Sequence, residues 1–175
     1  GGRSGEHEVS LASARSIMAV MNRDKYEIVP IGITHDGRWL TSGDPLAALA
    51  AGGQIAAPVD LAASATDREL VPGATGGRFP PLDVIFPVLH GPYGEDGTVQ
   101  GLLELAGVPY VGCGVLAGSL AMDKIVSKKI FIAHGLPVAP YRAITRKRWE
   151  SEPAAVIAEL EIHLGYPMFV KPANM

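Results

Sequence analysis

Residues 90–101 read His-Gly-Pro-Tyr-Gly-Glu-Asp-Gly-Thr-Val-Gln-Gly. One imidazole, two carboxylates and four glycines follow directly on an apolar run, residues 84–89, the end of a strand expected over 82–89. An imidazole beside carboxylates can orient a polar substrate or hold its charge, and glycines let backbone come close to a ligand. The plainer reading makes Gly94 and Gly97 turns, Glu95-Asp96 a solvated pair and His90 a satisfied histidine. The apolar run predicts a buried strand, which puts this polar segment at the strand's carboxyl end. Open α/β sheets bind ligands there, so the functional reading is favoured.

A second group opens the chain, Gly1-Gly2-Arg3-Ser4-Gly5-Glu6-His7-Glu8-Val9-Ser10. A glycine turn into a helix start ordinarily suits phosphate. Glu6 and Glu8 would repel phosphate and better suit a substrate cation such as an ammonium. Taken alone, the group reads as capping, with both carboxylates serving the helix dipole. A third group is two lysines. Lys124 stands at a helix start after Met122-Asp123, and Lys171 closes a strand-like run before Pro172. A lysine so placed is a point charge for phosphate; alone, both read as surface residues. The phosphate-loop pattern Gly-x-x-x-x-Gly-Lys-Ser/Thr is absent, and the five histidines and one cysteine lack metal-ligand spacing. No metal site is expected within the chain, and Cys113 reads as a small buried residue between two glycines.

The elements that must carry these groups follow from patterning. Residues 1–5 predict a turn with Ser4 available as a cap, then a helix over 8–21 with an apolar stripe of Val9, Ala12, Ile17, Val20 and Met21. Residues 26–34 predict a strand, Asp36-Gly37 a hairpin turn and residues 38–40 its return. Residues 42–81 are rich in Ala, Gly, Pro and Thr, with a short helix near 45–51, a surface excursion at 72–78 and no assignable function. After the strand at 82–89 come a helix over 97–105 stopped by Gly107, a short strand at 108–111, and helices near 115–121 and 124–134 stopped by Gly135. Residues 136–144 are extended, Arg146-Lys147-Arg148 forms a solvated turn, Ser151 caps a helix to about 164, and 167–170 is a strand. The first part implies a parallel sheet covered on both faces. The rhythm then changes, giving domains at 1–121 and 122–175, with no internal repeat.

Fifteen basic against eighteen acidic residues, net −3, with no basic run or aromatic–basic stripe, argue against nucleic acid. One cysteine rules out an internal disulfide and fits a reducing compartment. No signal peptide or membrane-spanning run is apparent, so the cytoplasm is expected. The opening without a strand and the close at Asn174-Met175 suggest an incomplete chain.

Together the segments resemble the D-alanine–D-alanine ligases of the ATP-grasp family. The matching stretches are Gly1-Gly2-x-Ser4-x-Glu6-x-Glu8-Val9-Ser10, His90-Gly91-x-x-Gly94-Glu95-Asp96-Gly97-x-x-Gln100-Gly101-x-Leu103-Glu104 and Pro109 to Ala117. Met122-Asp123-Lys124 with Ser127-Lys128, Pro137 to Pro140, and Gly165-Tyr166-Pro167-x-x-Val170-Lys171-Pro172-Ala173-Asn174 follow in the family's order. The resemblance implies an α/β fold: a Rossmann-like parallel-sheet domain lacking its first strand, then the incomplete start of an ATP-grasp α+β domain. It implies ATP- and Mg2+-dependent joining of two D-alanines through an acyl phosphate, for peptidoglycan synthesis, in a homodimeric cytoplasmic enzyme. Glu6 would hold the first D-alanine's ammonium, as substrate ligand and catalytic residue. Val9, Ser10 and His90 would line the same pocket, and Lys124 and Lys171 would contact ATP phosphates. Glu95 and Asp96 would only shape the turn beside the pocket. The metal ligands and the region selecting D-alanine, D-lactate or D-serine as second substrate would lie beyond residue 175, so this chain alone should not ligate. The alternatives are a D-alanine-binding module without catalysis, or another ATP-grasp carboxylate–amine ligase; Glu6 and His90 argue against the latter.

Overall fold

The computed structural model describes residues 1–40, 43–52 and 82–174, together with the strand segments Leu61–Ser64 and Glu69–Pro72. Two compact units divide the chain, Gly1–Ser119 and Leu120–Met175.

The first unit opens with helix α1, His7–Val20. Its inward face carries the buried residues His7, Ser10 and Leu11, an i, i+3, i+4 set. The expected stripe is therefore misplaced: Val9 is 52% and Val20 83% exposed, and Ala12 faces solvent. Two polar residues occupy the inward face because each finds a hydrogen bond there, buried for His7 and part-buried for Ser10.

Strands β1 (Gly32–Ile33) and β2 (Trp39–Leu40) pair antiparallel across the Asp36-Gly37 turn, with Gly32 opposite Leu40. Thr34 N–H donates to the Arg38 carbonyl, and Gly37 N–H returns to Thr34. Only these two residues of the strand predicted over 26–34 are paired; residues 26–31 run extended without a ladder. Helix α2, Pro45–Ala50, is capped by Asp44, whose carboxylate accepts from Ala47 N–H. Leu49 of α2 joins Leu11 and Leu40 in one apolar cluster. Strands β3 (Leu61–Ser64) and β4 (Glu69–Pro72) form a second antiparallel hairpin, which the composition of 42–81 gave no reason to expect. Most of the excursion placed at 72–78 lies outside the described residues.

Residues 82–89 correct the expectation of a buried strand. They are extended, but Val84 and Phe86 are about half exposed. A single parallel bridge, Ile85 to Tyr110, replaces a ladder, made by Ile85 N–H to Pro109 O and Val111 N–H to Ile85 O. Pro87 has no N–H to extend it. Ile85 and Leu89, an even number of positions apart, pack against the core while Val84 and Phe86 do not, so the segment is covered on one side rather than two.

Helix α3, Thr98–Leu105, supplies that cover. Val99 and Leu103, with Ala106 and Val108, form the main cluster, against which Ile31, Trp39, Ile85, Leu89 and Tyr110 pack. Leu103 is fully buried, worth about 1.5–3 kcal/mol. The helix ends in a Schellman motif: Gly107 N–H donates to Glu104 O and Val108 N–H to Leu103 O, with Gly107 at φ +66°. Cys113 is exposed, not buried, because Gly112 and Gly114 carry it past the end of the packed segment. Helix α4, Val115–Met122, crosses the division between the units.

In the second unit helix α5, Lys124–Ala133, is capped by Asp123, which accepts from Ile125 and Val126 N–H at 2.9 Å each. It stops in another Schellman motif at Gly135. Residues 136–145 are extended. The basic triplet is not a turn: it begins helix α6, Arg146–Ser151, because Thr145 caps Arg148 N–H. Helix α7, Pro153–His163, follows at once. Ser151 therefore ends α6 and donates to Arg148 O instead of capping α7. Arg148 binds Glu159 at 2.5 Å and joins the two helices. Residues 167–170 are extended but pair with no strand among the described residues, and Phe169 and Val170 are about nine-tenths exposed. No described helix is long and apolar enough to cross a membrane.

Candidate functional site

The start of α1 and the segment after residue 89 meet through serines. Ser4 Oγ donates to His90 O at 2.6 Å and accepts from Glu6 N–H at 3.2 Å. Its expected capping role is thus a local turn bond to Glu6; the N-cap itself, Glu6, makes no side-chain cap bond. Ser10 Oγ accepts from His90 N–H at 3.0 Å and donates to Glu6 O at 3.2 Å. Ser13 Oγ lies 2.9 Å from His90 Nε2. Three serines therefore fix the backbone and ring of His90 from positions i, i+6 and i+9 of the opening segment. The ring's other nitrogen, Nδ1, faces Glu95 Oε1 at 3.9 Å.

Glu6 extends over the same junction. A Cβ built on Gly91 would stand 3.0 Å from Glu6 Oε2, so the carboxylate rests against bare backbone that only glycine provides. Among the described residues no donor reaches that carboxylate. Val9 lies three positions on from Glu6, and Ser10 and Ser13 four and seven, so all share one side of the helix. The structure thus brings Glu6, Ser10 and His90 together, with Val9 exposed beside Glu6.

The segment after His90 is a tight turn. Gly94 and Glu95 N–H both return to Gly91 O, and Gly91 N–H donates to Glu95 Oε2 at 2.6 Å. Tyr93 sits at φ +68°, a region rare for a bulky residue. Asp96 holds it there by accepting from Tyr93 N–H, and also accepts from Thr98 N–H, both at 3.0 Å. Burial would raise the Asp96 pKa, but these hydrogen bonds outweigh it and hold the carboxyl below its ordinary value. Gln100 Nε2 ties Gly94 O at 2.9 Å. Glu95 and Asp96 both brace the turn. A cavity of about 340 Å3 opens beside it, lined by Gly2, Ser4, Trp39, Leu89, His90 and Tyr93 among others. Glu6 is not in its wall.

Patterning singled out Glu6 and His90, and the family resemblance added Ser10, but neither pointed to Ser13 or Tyr93, nor to the reach of Ser4 to His90. A serine carries no period or motif that announces a partner some eighty residues away, and Tyr93's positive φ has no signal in its residue type.

In the second unit Lys124 is the first residue of α5, and its N–H donates to Ala173 O at 2.8 Å. That bond lays the Lys171–Asn174 stretch along the start of α5, so both lysines stand on adjoining segments, with Lys171 exposed. Two cations so placed fit phosphate. Among the described residues no carboxylate cluster that would suit Mg2+ accompanies them; the one group of potential metal ligands, His7, Glu8 and His35, lies in the first unit.

Comparison with known proteins follows these segments closely. The family described as "D-ala D-ala ligase N-terminus" matches residues 1–113, and "D-ala D-ala ligase C-terminus" matches residues 130–175. The D-alanine–D-alanine ligase of Natranaerobius thermophilus is 48% identical across the whole chain, and that of Heliobacterium modesticaldum 50%. The chain spans about half the length of these curated relatives, 48% in each case. Among solved structures, the VanG D-Ala:D-Ser ligase of Enterococcus faecalis superposes with a TM-score of 0.77 at 36% identity, over 99% of this chain and 50% of that one. The D-alanine–D-alanine ligase of Coxiella burnetii gives 0.75 at 32%, over 94% and 48%. The α/β architecture is accordingly that of part of an ATP-grasp enzyme. With the N-terminal match alone covering well over half its residues, the chain belongs to the D-alanine–D-alanine ligase family.

Proposed function

We propose that the protein to which this chain belongs joins two D-alanine molecules at the expense of ATP, and that this chain supplies the pocket for the first D-alanine and the start of the nucleotide site. The observation that carries the reading is the Glu6 carboxylate, held over Gly91 beside a fixed His90 with no donor of its own. A carboxylate left without a partner at a glycine-lined junction is suited to an ammonium group. Val9 and Ser10 share that side of α1 and would flank the substrate. His90, its ring set by Ser13, would orient the amino acid.

Lys124 and Lys171 would neutralise ATP phosphates. ATP supplies the phosphoryl group that makes one carboxylate oxygen a leaving group, giving the acyl phosphate that the second amine attacks. What this chain's residues do is bind and orient. Mg2+ would take its ligands from outside residues 1–175. Residues 1–121 act in this reading as the substrate domain and 122–175 as the opening of the ATP-grasp domain. A cytoplasmic homodimer feeding peptidoglycan synthesis completes the proposal, with D-alanine as second substrate after the curated relatives' names.

The test is Glu6→Gln in the full-length protein, followed by ADP release at varied D-alanine and varied ATP. Removing a charge-assisted bond worth about 1.5–3 kcal/mol raises the D-alanine requirement roughly 10- to 100-fold and leaves the ATP requirement within about twofold. Equal loss toward both substrates would show that Glu6 does not hold the ammonium.

A further inference from the structure

Three side chains away from the His90 junction converge where α1 meets the β1–β2 turn. Ligand atoms of His7, Glu8 and His35 all lie within 4.8 Å of one another. His7 is 2% exposed, whereas Glu8 and His35 face solvent. His7 Nδ1 is 2.7 Å from the Gly2 carbonyl oxygen. A carbonyl can only accept, so Nδ1 carries a proton, and in the neutral ring Nε2 is left with its lone pair. Metal-binding histidines are set in this way, one ring nitrogen donating to a backbone carbonyl and the other free to coordinate. The His35 ring stacks on His7 with centroids 3.8 Å apart and planes 21° from parallel. Both backbones are fixed, His7 in the first turn of α1 and His35 beside Thr34, whose N–H is bonded across the hairpin.

We propose that His7, Glu8 and His35 form a binding site for a divalent transition ion of the zinc class, with His7 Nε2, one His35 ring nitrogen and a Glu8 oxygen as ligands and water completing the shell. Two imidazoles select this class over Mg2+, which takes oxygen ligands. Metal–ligand bonds of about 2.0–2.1 Å in a tetrahedron put ligand atoms about 3.3 Å apart. The present spread must close by up to about 1.5 Å, which the exposed Glu8 and His35 side chains can supply while His7 stays put. Ring lone pairs lie in the ring planes, so two imidazoles on one ion cannot remain stacked, and His35 swings out of the stack on binding. No motif spacing announces the group, because His35 arrives from a hairpin well along the chain.

The experiment is calorimetric titration of the untagged full-length protein with Zn2+, in excess Mg2+ to fill sites that prefer hard ions. The wild type takes up one more equivalent of Zn2+ than His35→Ala, a change on an exposed turn that leaves the fold standing. Glu8→Gln weakens that equivalent by at least about tenfold, in the range that lesser supporting contacts already command. Imidazole 1H–15N spectra give an independent readout: Zn2+ shifts His7 Nε2 while Nδ1 keeps its proton. Equal zinc uptake by wild type and His35→Ala, or a His7 signal that Zn2+ leaves unmoved, overturns the proposal.

Discussion

Ser10→Ala removes one hydroxyl from a residue with no exposed surface. The two groups bonded to that hydroxyl fare differently. Glu6 O also accepts from Ser10 N–H at 3.0 Å, so it remains satisfied. His90 N–H loses its acceptor, and a donor stranded at a half-buried position costs about 1–3 kcal/mol. Alanine returns roughly 0.5 kcal/mol in helix propensity. The net expectation is a destabilisation of about 0.5–2.5 kcal/mol. Ser16→Ala is the internal control. Ser16 lies on the same helix and donates only to Ala12 O on the exposed side, so its loss strands nothing and keeps the propensity gain. Urea unfolding of the first unit can be followed through Trp39, which packs against the main cluster, in a Trp149→Phe background. With a slope near 2 kcal/mol/M, the Ser10→Ala midpoint falls by about 0.3–1.2 M, while Ser16→Ala is unchanged or slightly raised. Coincident midpoints for the two variants would refute the claim that Ser10 holds the strand end to the helix.

Gly94→Ala should destabilise by more than about 2 kcal/mol by urea midpoint, since its Cβ would stand 2.9 Å from the Leu89 carbonyl carbon and oxygen, backbone that cannot yield. Gly5→Ala, with nothing within 4 Å of the added carbon and no positive φ, should be neutral or stabilising by up to about 1 kcal/mol. Asp96 has a folded pKa below the ordinary 3.8, so its contribution is fully present above that value and is lost as pH falls through the lower one. Asp96→Asn should therefore be less stable than wild type at neutral pH, with the gap closing in acid below 3.8; a gap constant with pH in thermal melts would remove the carboxylate from the account. Lys171→Ala should raise the ATP concentration needed for ADP release while D-alanine still protects the first unit from thermal unfolding; unchanged nucleotide affinity would end its phosphate role.

Local signals placed most of the helices, because caps and stops are written in adjacent residues; α6 is the exception, and neither Ser4 nor Ser151 caps the helix expected of it. Gly107 and Gly135 stop their helices as expected, and Asp44 and Asp123, which the patterning did not single out, cap theirs; each acts within four positions of itself. The strands were less legible. Residues 82–89 and 167–170 carry β-branched and aromatic side chains, yet pairing is a property of neighbours, and one bridge to Tyr110 is all that the first segment makes among the described residues. Burial was misread for the same reason. An apolar run can be covered on one face or two, and Val84 and Phe86 show that here it is one. The α1 stripe fails because hydrophobicity is not the only reason to face inward: His7 and Ser10 are inside for the hydrogen bonds they make.

The same kind of polar contact builds the candidate site. Glu6 and His90 could be singled out because a carboxylate after a glycine turn and an imidazole after an apolar strand are conspicuous by type. What holds them in register is a set of three serine hydroxyls joining positions 77 to 86 residues apart. Serine is small enough to lie between a helix and a strand end without spreading them, and it both donates and accepts, so Ser4 and Ser10 can each satisfy two backbone groups at once. An alanine would fit the space but strand at least one backbone group, His90 N–H in the case of Ser10; a threonine would add a methyl group to a junction already closed around Ser10. The steric requirement and the hydrogen-bond requirement thus converge on one residue type. The precision of the Glu6–His90 arrangement follows from serine hydroxyls whose hydrogen bonds are spent on the backbone and ring of His90 and on the backbone of Glu6.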